Sequence, residues 1–144
     1  MNDAGEFTIT LAQWPEDEAS IRSIRETVFV AEQAVPADLE WDGLDAGCVQ
    51  VLARNRAGEA VGTARMMEDG RIGRMAVLRG WRNHGIGAAM LETLMDVARG
   101  RGLRRVHLAS QTHALGFYAA NGFVAEGEEF LEANIPHRHM SRTV

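Results

Sequence analysis

A glycine-rich turn between a predicted strand and a long predicted helix is the feature that most constrains this chain. The turn, residues 82–89 (Arg-Asn-His-Gly-Ile-Gly-Ala-Ala), follows a β-like run at residues 71–78 and opens a helical pattern at Gly85. Such a turn directs several free backbone N–H groups to the point where the positive end of the helix dipole lies. Gly85 and Gly87 let the backbone approach an anion without a Cβ in between, and Arg82 can add a charge-assisted contact. The sequence therefore predicts a phosphate-binding turn.

Two familiar phosphate-binding loops do not match this turn. A Walker A loop ends in Gly-Lys-Ser or Gly-Lys-Thr, and neither tripeptide occurs in the chain. A dinucleotide-binding fingerprint would need glycine or alanine at position 90, which is Met90. It would also need an acidic residue about 20 positions further on, where Arg104 and Arg105 stand. A nucleotide hydrolase or a Rossmann domain is therefore not favoured.

A second motif follows downstream. A predicted strand at residues 106–111 leads into a short predicted helix that carries Phe117-Tyr118 and stops at Asn121-Gly122. Thr112 is the expected N-cap of this helix. An Arg-x-x-Gly-x-Gly turn followed by a Phe-Tyr helix, each in its strand-to-helix context, resembles motifs A and B of the GNAT N-acetyltransferase superfamily.

Two further blocks narrow the resemblance to the bacterial ElaA/YjcF-like branch of that superfamily. Residues 28–33 read Val-Phe-Val-Ala-Glu-Gln and are followed by Asp-Gly-Leu-Asp at residues 42–45. Residues 135–140 read Ile-Pro-His-Arg-His-Met. With the two motifs, the resemblance covers the chain from about Arg25 to Met140.

The resemblance implies an α/β fold in which residues 1–144 form a single GNAT-type domain. Its central sheet would be mixed but mostly antiparallel and flanked by helices, which suits a chain of 144 residues with a hydrophobic share of 46%. The resemblance also implies that the turn holds the pyrophosphate of acetyl-CoA, while the preceding strand splays from its neighbour and pairs with the pantetheine amides. The expected cofactor-binding residues are Met75, Ala76, Val77, Arg82, Asn83, His84, Gly85, Ile86, Gly87, Ala88 and Phe117.

The local pattern predicts how the remaining elements are arranged. The apolar stripe of Ile21, Ile24 and Val28 predicts a helix that ends near Glu32, with Pro15 as its first residue. Alternating runs bounded by turn residues predict short strands. The expected strands are residues 8–12, 48–55, 60–68, 71–77 and 106–111 with two more near the C-terminus, and residues 34–46 are expected to form a loop or short helix over the site.

Tyr118, the single tyrosine of the chain, is the first candidate catalytic residue. Amide formation from a thioester expels the CoA thiolate, and a phenol within hydrogen-bond reach can protonate it or stabilise its charge. In the family this tyrosine lies near the sulfur of CoA. The alternative for Tyr118 is a core aromatic residue whose hydroxyl bonds to the backbone.

The base that deprotonates the attacking amine is the second catalytic question. Glu32, which closes the first helix, and His137, in the Ile-Pro-His strand, are the first candidates, and a bound water is another. Either residue could instead be structural, as a solvated surface acid or a hydrogen-bonded histidine. Glu40, Asp42 and Asp45 are expected to border the acceptor cleft, where carboxylates would bind an ammonium group.

Composition limits the partners. A net charge of −5 argues against nonspecific nucleic-acid binding and favours a cationic acceptor. One cysteine excludes an intrachain disulfide and fits a reducing cytoplasm, and Cys48 is expected to be a core residue rather than an acyl-accepting nucleophile. The histidines lack a metal-ligand spacing, and no apolar run approaches the roughly 20 residues of a membrane span. We therefore expect a cytoplasmic protein with no metal, nucleic-acid or membrane partner, and a homodimer stays open.

The expected function is transfer of an acetyl group from acetyl-CoA to a primary amine, on a small molecule or a peptide, by direct nucleophilic attack. The alternative is a non-catalytic acyl-CoA-binding or interaction module that keeps the cofactor site without turnover. Tyr118 and the acid-rich loop favour the enzyme. The sequence does not indicate which amine is the acceptor.

Overall fold

Residues 7–144 form seven strands and four α-helices in the computed structural model, and this is the part of the chain that the structure describes. The domain boundary expected at residue 1 lies outside these residues. A π-helical stretch, Glu26–Glu32, continues α1, and single 3₁₀ turns lie at Asp45–Gly47, Arg79–Trp81 and Thr112–Ala114. The elements are β1 (Phe7–Leu11), α1 (Glu18–Arg25), α2 (Ala37–Glu40), β2 (Val49–Asn55), β3 (Ala60–Met66), β4 (Ile72–Val77), α3 (Ile86–Gly100), β5 (Arg105–Gln111), α4 (Leu115–Ala120), β6 (Val124–Glu132) and β7 (Ile135–Thr143).

The strands form two antiparallel sheets that meet at one point. The first sheet has the order β1-β2-β3-β4 and the second the order β5-β7-β6. β4 and β5 are joined by a parallel bridge between Arg71 and His107, where the His107 N–H donates to the Gly70 carbonyl at 3.1 Å. Beyond this bridge β4 and β5 form no hydrogen-bonded pairing in the described residues, so a gap lies between the rest of these two strands. The expected flanked, mostly antiparallel sheet is confirmed, in the form of two sheets with a gap between them.

A bulge shapes β4 where it borders this gap. Arg74 and Met75 together face a single residue of β3, and Arg74 has a φ of 50°, in the left-handed region that side chains rarely adopt. Met75 packs against the core beneath α3. Arg74 extends to the other face, where it contacts Glu40 and Asp42 of residues 37–45, here called the α2 segment. The pairs on either side of the bulge are Thr63 with Ala76 and Arg65 with Gly73.

One hydrophobic core joins the two sheets. The apolar side chains of α3 recur at helical spacing and pack against buried residues of both sheets. The sheets are therefore held together by shared packing on α3 more than by strand pairing. A smaller core cluster lies on the other face, between α1 with its π-helical extension and the first sheet. The α3 residues buried in the shared core are Ile86, Met90, Leu91, Leu94, Met95 and Ala98.

Two predicted helix starts are wrong, by three residues for α1 and by two for α4. Pro15 does not begin the first helix, because Pro15 lies in a turn that is closed by a hydrogen bond from Glu18 N–H to the Pro15 carbonyl (3.0 Å), and α1 begins at Glu18. Thr112 is not the N-cap of α4. It opens a 3₁₀ turn instead, and α4 begins only at Leu115. In both places a tight turn takes up the residues that the sequence pattern assigns to the first helical turn.

Candidate active site

A cavity of about 480 Å³ passes through the gap between β4 and β5. Met75 of β4 and Ala109 of β5 line it at the gap itself. Tyr118 of α4 lines it from the side of the shared core, and Val35 and His137 line it from the other face. The gap therefore opens a path from one face of the sheets to the other.

The glycine-rich turn has the geometry of an anion site. Asn83 and Gly85 both adopt left-handed conformations, with φ of 66° and 84°, and Gly85 is the N-cap of α3. The first helical hydrogen bond runs from Ala89 N–H to the Gly85 carbonyl at 3.1 Å. The amides of residues 86–88 thus have no acceptor within the helix, and they lie at its positive end. The backbone is arranged as the sequence predicted for a phosphate-binding turn.

The Arg82 side chain is directed to protein groups. Its Nε donates to the Val77 carbonyl at 2.8 Å, and its Nη2 donates to both carboxylate oxygens of Glu32 at 3.0 and 3.1 Å. Arg79 adds a longer ion pair to the same carboxylate at 3.5 Å. Glu32 therefore joins the end of the π-helical stretch to the turn, and it is not one of the residues that line the cavity.

The two sequence motifs touch each other at Gly87 and Phe117. A Cβ placed on Gly87 would lie only 2.9 Å from Phe117 Cζ, so glycine is what permits this contact between α3 and α4. The Phe117 ring meets the Tyr118 ring edge-on, with centroids 5.0 Å apart. His84 lies beside Trp81 at a ring distance of 5.9 Å. The start of α3 therefore packs directly on α4 at Gly87 and Phe117.

Tyr118 is placed where a leaving thiolate could be protonated. Its hydroxyl lies 3.7 Å from Met75 Sδ, which is a weak acceptor. Burial raises the pKa of the Tyr118 phenol to about 12. The phenol is therefore neutral at pH 7 and carries a proton that it can donate.

His137 lines the same cavity, and one of its ring nitrogens is hydrogen-bonded to the backbone. Its Nδ1 is 2.6 Å from the Ile135 carbonyl oxygen. Since a carbonyl can only accept, this contact assigns the proton to Nδ1 and leaves a lone pair on Nε2. Nε2 is 3.7 Å from Glu132 Oε2, and the imidazole stacks on Phe130 with a centroid distance of 5.9 Å. The residue is buried, at 6% exposure, so packing fixes the ring orientation.

The carboxylates of the α2 segment are not free to bind an ammonium group as the sequence predicted. Glu40, Asp42 and Asp45 are matched by three arginines of α1, β3 and β4, so this ion-pair network carries no net formal charge. The hydrogen bond from Arg65 holds the pKa of Asp42 well below its usual range. The contacts are Arg25 with Glu40 (2.7 Å) and Asp45 (2.6 Å), Arg65 with Asp45 (2.9 Å) and Asp42, and Arg74 with Glu40 (3.3 Å) and Asp42 (3.3 Å).

An amide pair that the sequence did not reveal spans the cavity wall. Gln111, at the end of β5, donates from Nε2 to Gln33 Oε1 at 2.8 Å, and His113 bonds to the Gln111 side chain. Gln33 directly follows the π-helical stretch and lines the cavity together with Gln111. The pair therefore ties the first helical segment to the second sheet. Gln33 closes the Val-Phe-Val-Ala-Glu-Gln block of the sequence, but no sequence signal indicated that it pairs with Gln111.

Cys48 lies outside the cavity lining, and its thiol donates to the Leu44 carbonyl at 3.3 Å. Burial raises the pKa of the Cys48 thiol, which keeps it protonated at neutral pH. Within residues 7–144, no cluster of His, Cys, Asp and Glu side chains is arranged to hold a metal ion. None of the helices in these residues is long and apolar enough to cross a membrane.

The fold and the site match a known class of acyltransferases. The model of the acetyltransferase (GNAT) domain matches residues 14–144. The chain therefore belongs to the GNAT acetyltransferase family, whose members transfer acyl groups from acyl-CoA.

Individual relatives support the same branch of the family. In sequence the chain is similar to the uncharacterized N-acetyltransferase YjcF of Bacillus subtilis, with 36% identity over 123 residues, covering 83% of this chain and 87% of that protein. Its structure is similar to that of Escherichia coli ElaA, with a TM-score of 0.81, 26% identity and coverage of 95% and 99% of the two chains. It is also similar to an acyl-CoA N-acyltransferase from Pseudomonas aeruginosa, with a TM-score of 0.80, 30% identity and coverage of 95% and 98%. The expected GNAT fold and ElaA/YjcF-like branch are confirmed.

Proposed function

We propose that this protein is an N-acetyltransferase that moves an acetyl group from acetyl-CoA to a primary amine by direct nucleophilic attack. The observation that carries the proposal is the cavity through the β4–β5 gap, because Met75 of β4 and Tyr118 of α4 line it together with His137 on the other face. Among the expected cofactor-binding residues Met75 alone lines this cavity; the glycine-rich turn lies outside its lining and contacts α4 at Gly87 and Phe117. A thioester held in the gap would be reached by an amine from the face that carries His137, while Tyr118 lies on the face of the shared core.

The donor would be held largely by backbone groups. The amides of residues 86–88 would bind its pyrophosphate, with Asn83, His84 and Phe117 around it. Met75, Ala76 and Val77 would offer backbone groups to the pantetheine arm along the gap. The Arg82 side chain would contribute indirectly, because it braces the turn between the Val77 carbonyl and Glu32.

The proton transfers would be divided between two residues. His137 has an available lone pair on Nε2 and would take a proton from the acceptor ammonium. The amine would then attack the thioester carbonyl, the C–S bond would break, and Tyr118 would protonate the departing thiolate. Glu32 is engaged by Arg82 and lies off the cavity, so we propose that it acts as a positioning residue for the turn and not as the base.

Acceptor-dependent release of CoA tests the reaction. The purified protein is supplied with acetyl-CoA and a panel of primary amines, including polyamines, amino sugars and peptides with a free amino terminus. The free thiol of released CoA is followed spectroscopically. Release that depends on both substrates supports the acetyltransferase. Tight binding of acetyl-CoA without such release would instead leave a non-catalytic acyl-CoA-binding module.

A matched pair of glycine variants tests the donor site. Gly85 and Gly58 both have φ of 84°, and a Cβ added at either position meets nothing within 4 Å. Gly85→Ala and Gly58→Ala should therefore each cost about 1–2 kcal/mol of backbone strain. We expect only Gly85→Ala to weaken acetyl-CoA binding, by about tenfold or more in calorimetry, because only its strain distorts the anion-binding turn. Equal affinity in the two variants would contradict this assignment of the turn.

The proposal also covers the compartment, the acceptor and the oligomeric state. We propose a cytoplasmic enzyme, since its single cysteine suits a reducing compartment. Its acceptor would be the amine of a small molecule or a peptide. Size-exclusion chromatography with light scattering would show whether the chain forms a homodimer.

A further inference from the structure

Glu132 differs from the other carboxylates that line the described cavity. Glu40 and Asp42 are both held by arginines at hydrogen-bond distance, and Glu40 is buried at 3% exposure. Glu132 ends β6, and the exposed fraction of its side chain is 46%. It forms a long ion pair with Arg71, whose Nη2 lies 3.8 Å away, beyond a normal hydrogen bond. Because both side chains of this pair are about half exposed, the pair is weak and Glu132 can exchange it for a ligand cation.

Glu132 faces a second hydrogen-bond acceptor. The Nδ1 proton of His137 is used by the Ile135 carbonyl, so Nε2 presents a lone pair 3.7 Å from Glu132 Oε2. In the neutral imidazole both atoms are acceptors, so neither can donate to the other. A nitrogen placed about 2.9 Å from each atom would satisfy both with ordinary N–H hydrogen bonds. An ammonium group has three N–H donors on one tetrahedral centre and carries the matching positive charge.

We propose that Glu132 and His137 together bind the ammonium group of the acceptor, so that the acceptor is a primary amine that is protonated in solution. Binding of the ammonium group does not depend on the proposed acetyl transfer, and only the reaction that follows binding rests on it. Glu132 supplies the charge that selects a cation, and His137 supplies the base. Cation recognition is thereby assigned to the β6–β7 hairpin, not to the carboxylates of the α2 segment.

The same pair accounts for the protons of the reaction. The ammonium gives one proton to His137 Nε2, and the imidazolium that forms is stabilised by the Glu132 carboxylate. The free amine forms the C–N bond, and the C–S bond breaks with its electrons on sulfur. The second amine proton is lost as the amide forms and restores the proton that Tyr118 gives to the thiolate. The proton on His137 leaves to solvent before the next ammonium binds, so that Nε2 is again an acceptor.

Binding of a simple amine tests the site without relying on turnover. The probe is n-butylammonium, with n-butanol as the uncharged comparison, and its affinity is measured from NMR shifts of the His137 imidazole. Glu132→Gln keeps the shape of the side chain and removes its charge, and we expect n-butylammonium to bind at least about tenfold more weakly. Glu128→Gln, at an exposed position of the same strand, is the matched control and should bind as the wild type does.

Kinetics provide the second readout for the same variants. In Glu132→Gln we expect the KM for the amine to rise about tenfold or more, while the affinity for acetyl-CoA stays within about twofold of the wild type. Equal binding of n-butylammonium by wild type and Glu132→Gln, or equal binding of n-butanol, overturns the proposal. Glu132-dependent amine binding with no CoA release in the wild type would support this cation site and refute the acetyl transfer.

Discussion

At the scale of single residues, Tyr118 shows how burial sets what a side chain can do. Burial raises its pKa to about 12, so the phenol stays protonated through the neutral range and can donate a hydrogen bond, although it is a weaker acid than an exposed tyrosine. We predict that Tyr118→Phe lowers kcat by about 10- to 100-fold, because the departing thiolate loses its proton donor. Acetyl-CoA affinity should be unchanged, because the hydroxyl makes only a 3.7 Å contact with Met75 Sδ.

Stopped-flow measurement of thiol release, together with calorimetric binding of acetyl-CoA, checks this prediction. An unchanged kcat would remove Tyr118 from the chemistry and leave it as a packing residue. A loss of acetyl-CoA affinity would instead show that the ring, which packs on Phe117 and Phe123, had moved.

Three arginines are the residues that the sequence pattern concealed. The α1 stripe and the patterns of β3 and β4 predicted buried elements, and Arg25, Arg65 and Arg74 stand within those elements. A charged residue inside an apolar pattern signals a buried partner, but the pattern does not say which one. The sequence instead favours an acceptor surface formed by the acidic loop, residues 34–46. Only the folded chain shows that α2 turns its carboxylates inward onto these arginines.

The network makes stability depend on pH through Asp42. Its carboxylate is held ionised by Arg65, so its pKa is lower in the folded than in the unfolded chain. That difference stabilises the fold at pH values above the unfolded pKa of about 4, and the stabilisation is lost as pH falls towards the lowered value. We predict that Asp42→Asn lowers the free energy of unfolding by about 1–3 kcal/mol at pH 7.

Urea unfolding of wild type and Asp42→Asn between pH 2 and pH 7 measures this effect. The difference between the two proteins should shrink below about pH 4, because Asp42 of the unfolded wild-type chain binds a proton there while the folded chain still holds it ionised. Asp96→Asn, at an exposed position of α3, is the control and should change the unfolding free energy little at any pH. A difference that stays constant with pH would exclude Asp42 as the titrating group.

At the scale of elements, the π-helical stretch Glu26–Glu32 connects α1 to the glycine-rich turn. The expected helix does end at Glu32, but periodicity alone did not indicate a π-helical course or the role of its last residue. The Glu32 carboxylate is held by Arg82 and Arg79. It thus ties the cationic side chains next to the turn to the end of the first helical segment.

We predict that Glu32→Gln lowers kcat by less than about tenfold, because we propose that Glu32 is not the base. Acetyl-CoA should bind more weakly to this variant, since Arg82 loses the charged partner that braces the turn. Steady-state kinetics and calorimetry report the two quantities separately. A fall in kcat of about 100-fold with unchanged affinity for acetyl-CoA would instead identify Glu32 as the general base. The comparison variant is His137→Gln, which removes the proposed base.

The strands illustrate what a pattern of alternation can and cannot predict. The limits of β2, β3, β4 and β5 lie within two residues of the expected ones, because turn residues and period-two alternation mark both ends of each strand. The bulge at Arg74 was not predicted. A bulge depends on the register between two strands, and a single sequence does not encode that register visibly.

At the scale of the whole molecule, the fold was predictable because two motifs stood in the right order and context. The geometry of the glycine-rich turn was predictable for the same reason, since backbone N–H groups at a helix start need only glycines and a preceding strand. The proposed acceptor side was predictable only in part. His137 stands in the Ile-Pro-His block, whereas Glu132 of the preceding strand has no local signature.

The gap between the sheets also governs the order in which substrates and products can move. Residues of both faces line it, so under the proposed function donor and acceptor would enter by different routes and occupy the protein at the same time. We predict initial velocities that give intersecting lines in double-reciprocal plots, as a ternary complex requires. Labelled CoA should not exchange into acetyl-CoA when the amine is absent, because the chain holds no acetyl group between the two half-reactions. Parallel lines with rapid exchange would reveal an acetylated enzyme.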